Sequence, residues 1–79
     1  MKYVYILRSI AHPSERYFGI ISDLPKRLFD HNNGKCKHTS KFMPWRVETY
    51  LGFSDEAKAV AFERYLKTGS GNAFSKKRL

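Results

Sequence analysis

Residues 3 to 8, Tyr-Val-Tyr-Ile-Leu-Arg, place apolar side chains on both alternating faces, which predicts a strand covered from both sides. Ala11-His12-Pro13-Ser14-Glu15 interrupts the pattern and reads as a loop. Arg16-Tyr17-Phe18-Gly19-Ile20-Ile21 predicts a second strand, and so short a link between strands implies an antiparallel pair. The period then changes. At helical spacing Leu24, Arg27, Leu28 and His31 share one arc of roughly 100°. Ser22 is the expected N-cap, Asp23 falls in the first turn, and Pro25 is tolerated that early. Asn33-Gly34 should stop this helix. Residues 35 to 44 are basic and irregular. Trp45 to Leu51 alternates again, with Val47, Thr49 and Leu51 expected on one face of a third strand. Ser54 should cap a second long helix, opening with Asp55 and Glu56 at its positive end and running to Lys67. Gly69-Ser70-Gly71 reads as its stop, and the tail from Asn72 to Leu79 as a short last helix.

The order β-β-α-β-α-(α) predicts an α+β fold: a small three-stranded, mostly antiparallel sheet flanked by helices, in a single domain over 1–79. A chain of 79 residues buries only about two-thirds of the surface its unfolded form exposes, so all elements must share a compact core. With 42% hydrophobic and 15% aromatic residues, composition argues against disorder.

Charge narrows the partners. Fifteen Lys and Arg oppose seven Asp and Glu, a formal net charge of +8 that favours a polyanion. Nucleic acid is the first candidate. An anionic membrane ranks lower, because no strongly basic amphipathic helix is present. No stretch approaches the roughly 18 apolar residues of a transmembrane helix, and the N-terminus reads as a strand rather than a signal peptide, so a cytoplasmic protein is expected. Cys36 is the only cysteine; between Lys35 and Lys37 it is expected to be an exposed, structurally neutral thiol rather than a nucleophile.

Arg27 and His31, one helical turn apart, fall at the border of the arc that Leu24 and Leu28 turn to the sheet, whereas Lys26 and Asp30 fall on the far side. Periodicity alone describes a pair of solvated border residues equally well. Glu63 lies just past the apolar arc of Ala57, Ala59, Ala61, Phe62, Tyr65 and Leu66. It is also an i,i+4 partner for Lys67, an arrangement worth about 0.2–0.5 kcal/mol with no further role.

Motif order goes further. Tyr3-Val4-Tyr5 and then Tyr17-Phe18-Gly19 resemble the two half-motifs of the GIY-YIG nucleases, with Tyr3 in place of the first glycine and Phe18 in place of isoleucine. Arg27 stands where that family keeps its arginine, His31 follows one turn on, and Glu63 in Phe-Glu-Arg-Tyr-Leu-Lys matches the family's metal-binding glutamate. The segments Gly34 to Trp45 and Gly69 to Leu79 are similar to small stand-alone bacterial members. The same module occurs in the excision-repair incision subunit, homing endonucleases and some restriction enzymes.

The resemblance implies a metal-dependent endonuclease that hydrolyses phosphodiester bonds in DNA, in repair or recombination. RNA stays open as a partner, as does the oligomeric state. The chemistry suits these residues. Arg27 supplies a permanently charged fork for phosphate. Glu63 supplies hard oxygens for Mg²⁺ or Mn²⁺, which keep several waters. Tyr5 or Tyr17 would accept the proton of the attacking water, with Tyr5 slightly favoured in what should be the central strand. A free phenol near pKa ~10 is a poor base, and lowering it by about three units takes about 4 kcal/mol. His31 would hold a tyrosine or shuttle a proton. The resemblance also leaves Asn72 as the one candidate for an asparagine many members carry near the C-terminus. Lys35, Lys37, His38 and Lys41, with Lys76, Lys77 and Arg78, are the expected phosphate contacts. The alternative is a non-catalytic nucleic-acid-binding module on the same fold, which would have no use for a carboxylate in a phosphate groove.

Overall fold

The computed structural model describes residues 1–79. Three strands, β1 (Lys2–Ser9), β2 (Arg16–Ile21) and β3 (Trp45–Phe53), form one sheet in the order β2-β1-β3, with both pairings antiparallel. β1 is therefore central, as its two apolar faces require. Val4 and Ile6 pack with Ala59 and Leu66 on one face, while Tyr5 and Leu7 pack with Leu24 and Trp45 on the other. Four helices complete the α+β fold: α1 (Leu24–Asn32), α2 (Lys37–Ser40), α3 (Glu56–Leu66) and α4 (Gly69–Arg78). α1 and α2 cover the Tyr5 face; α3, with α4 against it, covers the Val4 face. No helix is long and apolar enough to cross a membrane.

Several boundaries differ from expectation for identifiable reasons. Asp23 and Asp55, not Ser22 and Ser54, are the N-caps. The Asp23 carboxylate accepts from Lys26 N at 3.1 Å, and that of Asp55 from Ala57 N at 2.9 Å and Lys58 N at 3.3 Å. An ionised acceptor at the positive helix end outcompetes a serine one residue earlier. Gly34, at φ 73°, stops α1 as predicted, because only glycine adopts that backbone without strain. Residues 37 to 40 coil into α2 rather than remaining irregular.

Gly69-Ser70-Gly71 does not stop a helix; it opens α4, capped by the Thr68 hydroxyl, which accepts from Gly71 N at 3.0 Å. Gly71 serves a different need there. A Cβ at that position would run into the Tyr65 carbonyl, so the glycine lets α4 start hard against the end of α3.

In β3 the expected face of Val47, Thr49 and Leu51 is split by a bulge. Leu7 pairs with Val47 but Ile6 pairs with Thr49, leaving Glu48 as the extra residue. Val47 thus joins the Tyr5 side, while Thr49 turns to the other face and donates to the Leu79 carbonyl at 3.2 Å. The bulge also aims Glu48 at two arginines that β1 and β2 hold side by side. Its carboxylate meets Arg8 Nε at 2.5 Å and Arg16 Nη2 at 3.4 Å, relieving their mutual repulsion.

Candidate functional site

The face of the sheet beneath α1 gathers four of the five residues expected to carry chemistry. Tyr5 lies on β1, Tyr17 on β2, and Arg27 and His31 on α1. Strand alternation and register bring the tyrosines together: Tyr5 pairs with Gly19 and Tyr17 with Leu7, so both rings project from one face. Their ring centroids are 6.3 Å apart, and that of Tyr17 lies 4.8 Å from His31. The helical spacing of Arg27 and His31 then places both over these rings. His31 is fully buried, deeper than a border position.

Gly19 makes this packing possible. A Cβ there would collide with Cζ and the hydroxyl of Tyr5, because the tyrosine ring lies across the glycine backbone of the neighbouring strand. Gly19→Ala is therefore expected to displace Tyr5 and destabilise the fold by about 1–3 kcal/mol, the usual cost of overpacking a filled core. Urea denaturation would measure it. Wild-type stability together with an unshifted Tyr5 ring resonance would refute the steric account.

The Tyr5 hydroxyl sits between two partners, His31 Nε2 at 3.2 Å and Arg27 Nε at 3.4 Å. On its other side His31 Nδ1 is 2.8 Å from Thr39 Oγ1, which is itself 3.2 Å from the Cys36 carbonyl. Trp45 Nε1 donates to the Thr39 carbonyl at 2.9 Å, tying α2 to the start of β3. Electrostatics follow this geometry. Burial raises the Tyr5 pKa above its ordinary value, opposed by the hydrogen bond from Arg27. Burial lowers that of His31, and the neighbouring Arg27 charge lowers it further, so the imidazole is neutral at pH 7. The hydrogen bond to Tyr5 raises the Arg27 pKa, with a smaller hydrogen-bonding contribution from Tyr17.

Glu63 is not part of this hydrogen-bonded group. It belongs to α3, on the opposite face, where it is buried between Ala59 and Leu66 on the helix's inner side. The expected arc was drawn too wide. Ala57, Ala61 and Tyr65 are exposed, and the true inner face is Ala59, Phe62, Glu63 and Leu66, at i, i+3, i+4 and i+7. Alanines carry little hydrophobic weight and pulled the expected arc off centre. The carboxylate does pair with Lys67, at 2.6 Å.

The basic residues fall into two exposed groups. Lys35, Lys37, His38 and Lys41 surround α2 on the Tyr5 face, where Lys35 reaches Asp30 at 3.7 Å and lies over the Phe29 ring. Lys76, Lys77 and Arg78 form the last turn of α4 on the other side. Asn72 lies near the start of α4, half-buried.

Sequence reasoning missed Thr39 and Asn32. Thr39 is buried, and Asn32 binds both the amide and the carbonyl of Trp45, at 2.5 and 2.9 Å. A polar residue in a polar segment has no periodicity to mark it, and only the tertiary partner reveals the role. Cys36 also departs from expectation. It is half-buried and close enough to influence the ionisation of both Tyr5 and Arg27.

Comparison with known proteins matches residues 1–78 to the model of the GIY-YIG catalytic domain. The chain is similar to a structure-specific endonuclease subunit slx1 of Talaromyces marneffei, 37% identical over 65 residues, covering 75% of this chain and 17% of that protein. It is similar to a structure-specific endonuclease subunit SLX1 homolog of Giardia intestinalis, 31% identical, covering 77% of this chain and 18% of that one. It is also similar to a UPF0213 protein of Streptococcus pneumoniae, 32% identical over 66 residues, with 82% and 65% covered. The chain thus spans under a fifth of the two endonuclease subunits. No solved structure matches.

Proposed function

Since the chain belongs to the GIY-YIG family, whose catalytic domain it matches over residues 1–78, we propose that it is a divalent-metal-dependent endonuclease that hydrolyses phosphodiester bonds in DNA. The observation that carries this reading is the convergence of Arg27, Tyr5, Tyr17 and His31 from three elements onto one sheet face. A pure binding module needs exposed cations; it does not need an arginine fixed against two phenols and a neutral imidazole.

Phosphodiester hydrolysis requires a base for the attacking water, stabilisation of charge on the phosphorane oxygens, and departure of a sugar oxygen. Arg27 supplies the second requirement. Its Nε is held by Tyr5, leaving the remaining guanidinium donors for phosphate oxygens. Tyr17 supplies the first. Tyr5 is only 1% exposed and its hydroxyl is engaged on both sides, so neither water nor substrate reaches it. Its raised pKa further disfavours the phenolate. The central position that favoured Tyr5 in the sequence thus argues for Tyr17, which is half-buried on the edge strand. As its phenolate, Tyr17 takes a proton from water as the water oxygen bonds to phosphorus. The bond to the leaving sugar oxygen breaks, and that oxygen takes a proton from solvent.

Glu63 is the residue that would hold the metal. It is a buried carboxylate whose charge partner is the ammonium of an exposed lysine, a position a hard cation can assume without unburying anything. No cluster of three or more His, Cys, Asp or Glu surrounds it, so most of the ion's ligands would be water and phosphate oxygens. When bound, the metal supplies charge neutralisation at the phosphate. β2 is one of the two sheet edges, and a DNA backbone laid across it would be within reach of Tyr17 and Arg27 on one face and of α3, which packs against β2, on the other.

The relatives named as structure-specific endonuclease subunits add branched DNA to the substrates worth testing, with repair or recombination as the setting. Labelled single-stranded, duplex and branched DNA, each with Mg²⁺, Mn²⁺ or chelator, tests the proposal. Cleavage abolished by chelator is expected; cleavage absent throughout, or indifferent to chelator, would overturn it. DNA affinity should also fall steeply with salt, because the +8 charge and its two basic groups neutralise several phosphates. A slope of log K against log salt near zero would show that the charge is not spent on a polyanion.

A further inference from the structure

We propose that Thr39 is a positioning residue for the Arg27 site: its hydroxyl selects the tautomer of His31, and His31 in turn orients the Tyr5 hydroxyl against Arg27. The catalytic part of this inference rests on the nuclease reading; the tautomer part does not.

The argument is a count of donors and acceptors along one buried chain. Thr39 Oγ1 lies 3.2 Å from the Cys36 carbonyl, which can only accept, so the threonine proton goes there. Its oxygen is left to accept from His31 Nδ1 at 2.8 Å. His31 is buried and neutral and carries one ring proton, which Thr39 thus fixes on Nδ1. Nε2 is then bare and accepts the Tyr5 O–H at 3.2 Å. With its proton turned inward, the Tyr5 oxygen presents its lone pairs to Arg27 Nε–H at 3.4 Å. Every group in the chain from the Cys36 carbonyl to the guanidinium is satisfied in this one direction. In the other tautomer the Thr39 hydroxyl would have to turn from the Cys36 carbonyl to His31 Nδ1, and Nε2–H and Arg27 Nε–H would both point at the Tyr5 oxygen, leaving the buried Tyr5 proton without an acceptor.

Thr39 is well placed to impose the choice. It is buried, and α2 is tied to the start of β3 through the Trp45 indole on its carbonyl. The His31 ring also packs against that of Tyr17, 4.8 Å between centroids, but its hydrogen bond into the site goes to Tyr5, so the tautomer acts on reaction through Tyr5 and Arg27.

Long-range ¹H–¹⁵N spectra of histidine-labelled protein read the tautomer directly, whether or not DNA is cleaved. In the wild type the buried His31 should be protonated on Nδ1, unlike the exposed His12 and His38. Thr39→Val keeps the shape and removes the acceptor; it should move the His31 proton to Nε2 and lower kcat at least tenfold with KM changed less than twofold. Thr39→Ser should restore both the Nδ1–H signature and kcat to within about twofold. An Nε2–H signature in the wild type, or Nδ1–H retained in Thr39→Val, would overturn the tautomer assignment. A switched tautomer with unchanged kcat would overturn the positioning role. If the wild type cleaves no DNA, the nuclease reading and the positioning role both fall, while the tautomer assignment is still decided by the spectra.

Discussion

Glu63→Gln is expected to lower the cleavage rate by about 10²-fold or more while leaving the fold and DNA affinity nearly unchanged. The magnitude is that of losing one group that acts on transition-state charge. Glutamine keeps the volume and the buried position between Ala59 and Leu66 but lacks the anionic oxygens a hard divalent ion requires. The competing account is that Glu63 only serves the helix. In that case its whole contribution is the i,i+4 pair with Lys67, a few tenths of a kcal/mol, and cleavage is untouched. Lys67→Ala separates the two. It breaks the same ion pair from the other end but leaves the carboxylate free for the metal, so it should retain cleavage and show only the small loss of stability. Equal turnover in both variants and the wild type would remove Glu63 from the chemistry. Equal large losses in both would show that the pair, rather than the carboxylate, matters.

The position of Glu63 also shows where legibility in the sequence ends. The β1 and β2 strands, their antiparallel pairing and the central place of β1 were readable because double-sided apolarity and a short loop leave few alternatives. The α1 arc of Leu24, Arg27, Leu28 and His31 was readable because the leucines anchor its phase. On α3 the phase was blurred by alanines, which occur as readily on a surface as in a core, so Glu63 was placed outside a face it occupies. The β3 bulge had no local mark. Glu48 becomes the extra residue because it answers Arg8 and Arg16, which come from other strands. Thr39 is the same case at the site itself: its role is defined by His31, eight residues away in sequence and on another helix. Charge, by contrast, was legible in amount but not in place, since the basic residues divide between α2 and α4 on opposite faces of the sheet.

The two tyrosines should respond very differently to loss of the hydroxyl, although sequence treats them as equivalents. Tyr17→Phe is expected to reduce the single-turnover rate by about 10²–10⁴-fold, the usual worth of a general acid or base, without changing the fold, because its ring still packs against His31. Tyr5→Phe removes a buried oxygen held between His31 and Arg27, and both partners then lose a hydrogen bond. That should cost about 1–3 kcal/mol of stability, because a buried polar atom is left unsatisfied. Its effect on rate should be the smaller of the two and should come from a less firmly held Arg27, not from loss of a base. The pH profile distinguishes these roles. If Tyr17 is the base, cleavage by Tyr5→Phe keeps a limb that rises with pH, whereas in Tyr17→Phe that limb is lost. The reverse pattern, with the limb surviving in Tyr17→Phe and vanishing in Tyr5→Phe, would return the base to the central strand despite its burial. Retention of the limb at near wild-type rates in both variants would exclude both tyrosines from the role of base.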